Sequence, residues 1–264
     1  MDIFWRETTG NAAPPIRLSD LPSAPPAVLL VYLDRYHLGD PLFLPGFARD
    51  VKAHEGPLVL VHGSGEAGER ALEAEGLMPE RRDGALVVST PHTAALVERA
   101  TRDLNRQIAH VLNEGGVPSV RMLGADRGLL RRGGDGQVEA GRAGWLAAVT
   151  RQGAVPVVAT LVAGMDGVAV EVDGGAAVAA LAGALTEDGA EPPAAVFFTT
   201  TRRPGLYEGG ERVPSVAASA LPTTGLAEPE AVRRAASAGV RTVVTTPGRL
   251  RGAGLPEGTR IVSG

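Results

Sequence analysis

The residues best suited to chemistry fall in one stretch, Pro57-Leu-Val-Leu-Val-His-Gly-Ser-Gly-Glu-Ala-Gly68. Leu58 to Val61 is a short apolar run that reads as a buried strand. It breaks at His62 into glycines, and Glu69 to Gly76 reads as a helix. Strand, glycine turn and helix together present backbone N–H groups to an anion, and the helix N-terminus adds positive potential. Gly63, Ser64 and Gly65 are therefore candidate phosphate or substrate ligands. The same pattern also serves a plain tight turn. His62 reads either as a packed strand-end residue or as an acid–base group, and no two-histidine metal motif accompanies it. No metal site is expected.

Asn105 and Asp173 are two further candidates. Asn105 sits in a long helix and would line a cleft or face solvent. Asp173 precedes an alanine-rich helix, where an aspartate is an ordinary N-cap. Arg131-Arg132 and Arg202-Arg203 read as solvated loops or as phosphate contacts. The spacing Gly63-x-Gly65-x-x-Gly68 matches a dinucleotide fingerprint. That fingerprint also needs an acid ending the next strand, and Asp83 precedes its strand instead.

The elements that must position these residues alternate along the chain. Strands are expected at Ala27 to Leu33, Leu58 to Val61, Ala85 to Val88, Ser119 to Leu123, Val155 to Leu161, Ala194 to Thr199, Thr242 to Thr245 and Gly258 to Val262. Helices are expected at Phe47 to Glu55, Pro91 to Asn113, Ala176 to Leu185 and Glu228 to Ala238. Thr90-Pro91 starts the longest of them, with Thr as N-cap and Pro at the first helical position. Gly205 to Val213 resembles a hairpin. Such alternation predicts an α/β fold with a mostly parallel sheet.

Composition narrows the classes. The 264 residues, 44% hydrophobic, suffice for one large core or two lobes. The net charge of -4 gives no broad basic field for nucleic acid or an anionic membrane. With no cysteine there is neither thiolate catalysis nor a disulfide, which fits a cytoplasmic protein. The opening Met1-Asp-Ile-Phe-Trp-Arg6 lacks the pattern of a signal peptide.

From Leu58 onward the ordered motifs resemble the amino acid kinase family, its acetylglutamate kinases most. They are His62-Gly-Ser-Gly65, the Asn105 helix, Gly124-Ala-Asp-Arg-Gly-Leu129, Val155-Pro-Val-Val-Ala159, Asp166-Gly167, Asp173-Gly-Gly-Ala-Ala, Gly225-Leu-Ala-Glu-Pro229 and Gly258-Thr-Arg-Ile261. The resemblance implies a three-layer α/β sandwich of the carbamate kinase-like kind. It implies a substrate-side lobe at 27–165 and a nucleotide-side lobe at 166–264, after an irregular Pro-rich arm at 1–26. It also implies ATP and Mg²⁺ as cofactors, an N-acetylglutamate-like acceptor and a homodimer. Asp173 takes the position of the aspartate that orients two catalytic lysines. Thr200, Thr201 and Gly225 fall on the nucleotide side.

The chain also departs from the family. Its first strand reads Leu30-Val-Tyr-Leu-Asp-Arg-Tyr36, without the lysine and paired glycines, and only Arg35 could substitute. The late lysine is Glu230, and the arginine expected near Gly84 is missing. An expected asparagine is Ala169, an expected aspartate is Thr200 or Thr201, and the middle glycine of the turn is Ser64. Two functions remain open: an impaired or altered carboxylate kinase, or a catalytically inactive relative that binds a ligand or a subunit. Apolar residues off the main stripe of the long helix (Ala94, Ala95, Ala109 and Leu112) suggest a dimer face there, or a face that packs under the Pro-rich arm of residues 14 to 26.

Overall fold

A computed structural model describes residues 28–82, 84–134, 136–141, 143–164, 168–186 and 191–264. The Pro-rich arm, the Asp166-Gly167 turn and the boundary at 165 lie outside these. Eight strands form one sheet in the order β7-β9-β8-β6-β1-β2-β4-β3. They are β1 (Leu29–Leu33), β2 (Leu58–His62), β3 (Ser119–Leu123), β4 (Val155–Ala159), β6 (Ala194–Phe198), β7 (Ser215–Ala217), β8 (Arg241–Thr245) and β9 (Thr259–Val262). Only the β8–β9 pair is antiparallel. The strands at Leu58 and Ala194 flank β1 on either side, in register with it.

Alternation along β1 builds three layers, because successive side chains leave opposite faces of a strand. Leu30 and Tyr32 pack under α4 (Gly144–Arg151), α5 (Gly174–Leu185) and α6 (Pro229–Ser237). Leu29, Val31 and Leu33 pack under α1 (Phe43–Lys52) and α3 (Pro91–Glu114). α2 (Gly65–Glu73) follows β2 directly and lies against α3. No helix among the described residues is long and apolar enough to cross a membrane.

Three expectations are corrected. Ala85 to Val88 does not join the central sheet: Ala85–Leu86 pairs only with Arg81–Arg82, in a small hairpin over the cleft. The helix expected at Phe47 to Glu55 begins earlier, at Phe43, and ends at Lys52. On α3, Ala94, Ala109 and Leu112 are buried within the molecule, so of the four apolar residues off the main stripe only Ala95 is exposed.

Candidate functional site at the carboxyl ends of the strands

β1, β2, β4 and β6 are parallel, so their carboxyl ends share one edge, the usual ligand-binding edge of an α/β sheet. The turn after β2 lies there. Gly65 has φ +57, a left-handed conformation that suits glycine. A Cβ on Gly65 would point at Leu104 and Leu38, not into open space. A valine there would therefore strain the backbone instead of blocking a ligand.

Both donors of Ser64, in the middle of the turn, are already engaged. The Ser64 N–H donates to Glu171 Oε1 at 2.5 Å, and the Ser64 hydroxyl donates to Glu171 Oε2 at 3.0 Å. The Leu86 N–H, from the small hairpin, donates to the same Oε2 at 3.0 Å. Glu171 ends a short strand, β5 (Ala169–Glu171), which pairs with Leu161–Ala163, and its side chain is 2% exposed. Arg81 stands 3.7 Å from Glu171 and is itself held by Glu69 at 2.7 Å and by the Gly65 carbonyl at 2.9 Å. A Cβ on Gly63 would stand 2.5 Å from Glu171 Oε1, so any larger residue there would displace that carboxylate.

A second carboxylate does the same after β1. The Arg35 N–H donates to Glu228 Oε1 at 3.0 Å, and the Tyr32 hydroxyl donates to Glu228 Oε2 at 2.7 Å. Burial pushes the Glu228 carboxyl above its usual range and the Tyr32 phenol well above its own. The Arg35 guanidinium turns to Glu69, 3.4 Å away. The chain's single lysine, Lys52, lies at the opposite edge, where its ammonium donates to the Gly115 carbonyl at 3.2 Å. Glu230, in the late lysine's place, is exposed and paired with Arg233.

His62 and Asn105 form a buried pair beneath the turn. Asn105 Nδ2 donates to His62 Nε2 and to the Val157 carbonyl, both at 2.9 Å. His62 Nδ1 lies 2.8 Å from the Gly63 carbonyl. Nδ1 therefore carries the proton and Nε2 accepts. Burial lowers the His62 pKa to about 4. Both residues are thus spent on holding the turn, and neither meets the cleft as an acid or base.

Asp173 caps α5, accepting from the Ala176 N–H at 2.6 Å. Arg234 stands 3.7 Å from it. Gly84, at φ +80, passes so close that a Cβ would overlap the Asp173 carboxylate. A cleft of about 640 Å³ opens beside Glu171 and Asp173, with Arg82, Arg132 and Arg234 on its walls. Thr200 and Gly225 meet through a backbone bond of 3.0 Å past the end of β6, and the Thr201 carbonyl accepts from Thr199. Of the expected site residues, Asp173 lines this cleft, while Gly63, Ser64 and Gly65 are buried, Ser64 being bonded to the Glu171 that lines it. The structure leaves Thr200, Thr201 and Gly225 beyond β6, and buries Asn105. Among the described residues, no group of three or more histidine or acidic side chains could hold a metal ion.

Sequence reasoning missed Glu171 and Glu228. The available signal was two acidic residues inside motifs that otherwise matched: Glu171 two residues before Asp173, and Glu228 next to Pro229.

No protein-family model matches the chain. It is 31% identical over 205 residues to an acetylglutamate kinase of Chloroflexus aurantiacus, covering 74% of this chain and 78% of that one. It is 37% identical over 150 residues to an acetylglutamate kinase of Deinococcus radiodurans, covering 54% and 56%. Among solved structures, an isopentenyl phosphate kinase superposes with a TM-score of 0.61 at 16% identity, over 88% of this chain and 99% of that one. That last likeness speaks to the fold alone.

Proposed function

The chain belongs to the acetylglutamate kinase family, and we propose that it keeps that scaffold with the phosphotransfer machinery reduced. In this reading it binds a small N-acylated amino acid in the cleft beside Asp173. Transfer of a phosphoryl group from Mg-ATP to that carboxylate is several orders of magnitude slower than at a lysine-bearing site. The observation that carries the reading is the placement of lysine: the chain's only one is at the far edge of the sheet. Phosphoryl transfer is mostly an electrostatic problem. One lost contact to developing charge costs on the order of 3 kcal/mol.

Three backbone donors at the ends of the strands are closed to a triphosphate. The Ser64, Leu86 and Arg35 N–H groups that could meet phosphate oxygens each hold a carboxylate of the protein itself. A phosphate brought there would face two buried acids. This favours a second reading, a homologue without turnover that acts as a ligand-binding or subunit-interaction protein.

The test is calorimetric titration with N-acetylglutamate, with and without Mg-ATP, beside a coupled assay of ADP release. The first reading expects heat from N-acetylglutamate and turnover near the detection limit. The second expects no turnover at any enzyme concentration. Turnover at a rate ordinary for a kinase would overturn both.

A further inference from the structure

We propose that Glu171 is a built-in ligand: its carboxylate fills an anion site of the cleft from within the chain and bridges the two parts of the molecule that a bound anion would bridge. The inference rests on the same cleft as the proposed function, but not on any nucleotide.

The site is built for a carboxylate. Three donors converge on Glu171 from two separate pieces of chain: the turn after β2 supplies the Ser64 N–H and hydroxyl, and the hairpin supplies the Leu86 N–H. Arg81 adds positive charge at 3.7 Å. A buried carboxylate must be compensated in this way, because removing it from water is costly. One further polar group remains over. The Thr160 hydroxyl is fully buried and has no hydrogen-bond partner among the described residues. A Cβ built on Gly63 would stand 3.7 Å from it and 2.5 Å from Glu171 Oε1, so the hydroxyl borders the same spot.

The direction of the contacts matters as much as their number. Glu171 and Glu228 both belong to the C-terminal part of the chain. Their N–H donors Ser64, Leu86 and Arg35 all belong to the N-terminal part. Each carboxylate therefore ties one side of the cleft to the other. A small anion bound between the two sides would do the same, and here the chain needs none.

The consequence is a latent site for a small carboxylate. Glu171→Ala removes the internal ligand and leaves its donors facing a void the size of a carboxylate. Formate is the probe. Thermal melts of the wild type and Glu171→Ala are compared in sodium formate and sodium chloride of equal ionic strength. In chloride the variant should melt on the order of 5 °C below the wild type, since buried donors lose their acceptor. Formate should recover about half of that fall or more, while the wild type melts alike in both salts.

Equal melting of the variant in the two salts would overturn the proposal, as would a formate effect of the same size on the wild type. Should Glu171→Ala not fold, Glu171→Gln keeps the shape and presents an NH₂ to one of the donors. Its Ser64 and Leu86 amides should then exchange with deuterium about tenfold faster than in the wild type, and unchanged rates would sink the idea. Neither readout involves ATP. The formate result and the turnover assay can therefore fail independently.

Discussion

His62 illustrates how one buried side chain makes stability depend on pH. Its pKa falls from 6.5 to about 4 because burial penalises the imidazolium. In the unfolded chain the ring takes up a proton below pH 6.5, whereas in the folded protein it does so only near pH 4. The unfolded state thus binds more protons in between, and stability falls as pH drops through that window. The shift corresponds to about 3 kcal/mol, present well above pH 6.5 and lost as pH falls from there through 4. His62→Gln should lose this slope. Urea denaturation of both proteins from pH 7 to pH 4 checks it, the carboxylates being common to the two. Parallel curves would mean that the ring titrates normally in the fold.

At the scale of elements, the helices start where local chemistry says they must. The Thr90 hydroxyl accepts from the Thr93 N–H at 3.1 Å, and the Thr93 hydroxyl returns the bond to Thr90, closing a capping box on the 24-residue α3. Thr90→Ala should cost about 1 kcal/mol, read as a lower denaturation midpoint with an unchanged slope. Asp173 does the same for α5. Here the cap can be separated from chemistry, because serine caps as well as aspartate. Asp173→Ser should keep stability within about 1 kcal/mol. If Asp173 also orients a reacting group, that variant loses the residual turnover. If Asp173 is only a cap, turnover stays where it was.

At the scale of the whole molecule, the sheet has two edges. One ends at the three-residue β7, and the other at the five-residue β3, where Val120 is 42% exposed. An open strand edge invites pairing. Beside β3, α3 carries Arg102, Arg106 and His110 along a surface cleft. A dimer is therefore expected through β3 and the polar flank of α3, not through Ala109, which lies in the core. Ala109→Glu would unfold the protein instead of separating subunits. Val120→Asp is the cleaner variant: sedimentation should show a dimer at micromolar concentration for the wild type and a monomer for the variant, with far-UV circular dichroism unchanged. A monomeric wild type would end the idea.

The sequence by itself determined the local grammar of this protein. Short continuous apolar runs placed β1 and β2, glycines marked the turn after His62, and Thr90 and Asp173 announced their helices. The ordered motifs carried the family, and the missing lysines were legible at once. Each of these signals spans a few residues, or repeats with the period of its element. Tertiary structure alone decided what fills the site. Glu171 reaches Ser64 across 107 positions, Glu228 reaches Arg35 across 193, and Asn105 reaches His62 across 43. No periodicity links residues so far apart. Their meeting follows from strand order and crossover geometry, which put the carboxyl ends of β1 and β2 beside β5 and the start of α6. Gly63 records the encounter in the sequence only in hindsight: it is glycine because the Glu171 carboxylate lies where a Cβ would be.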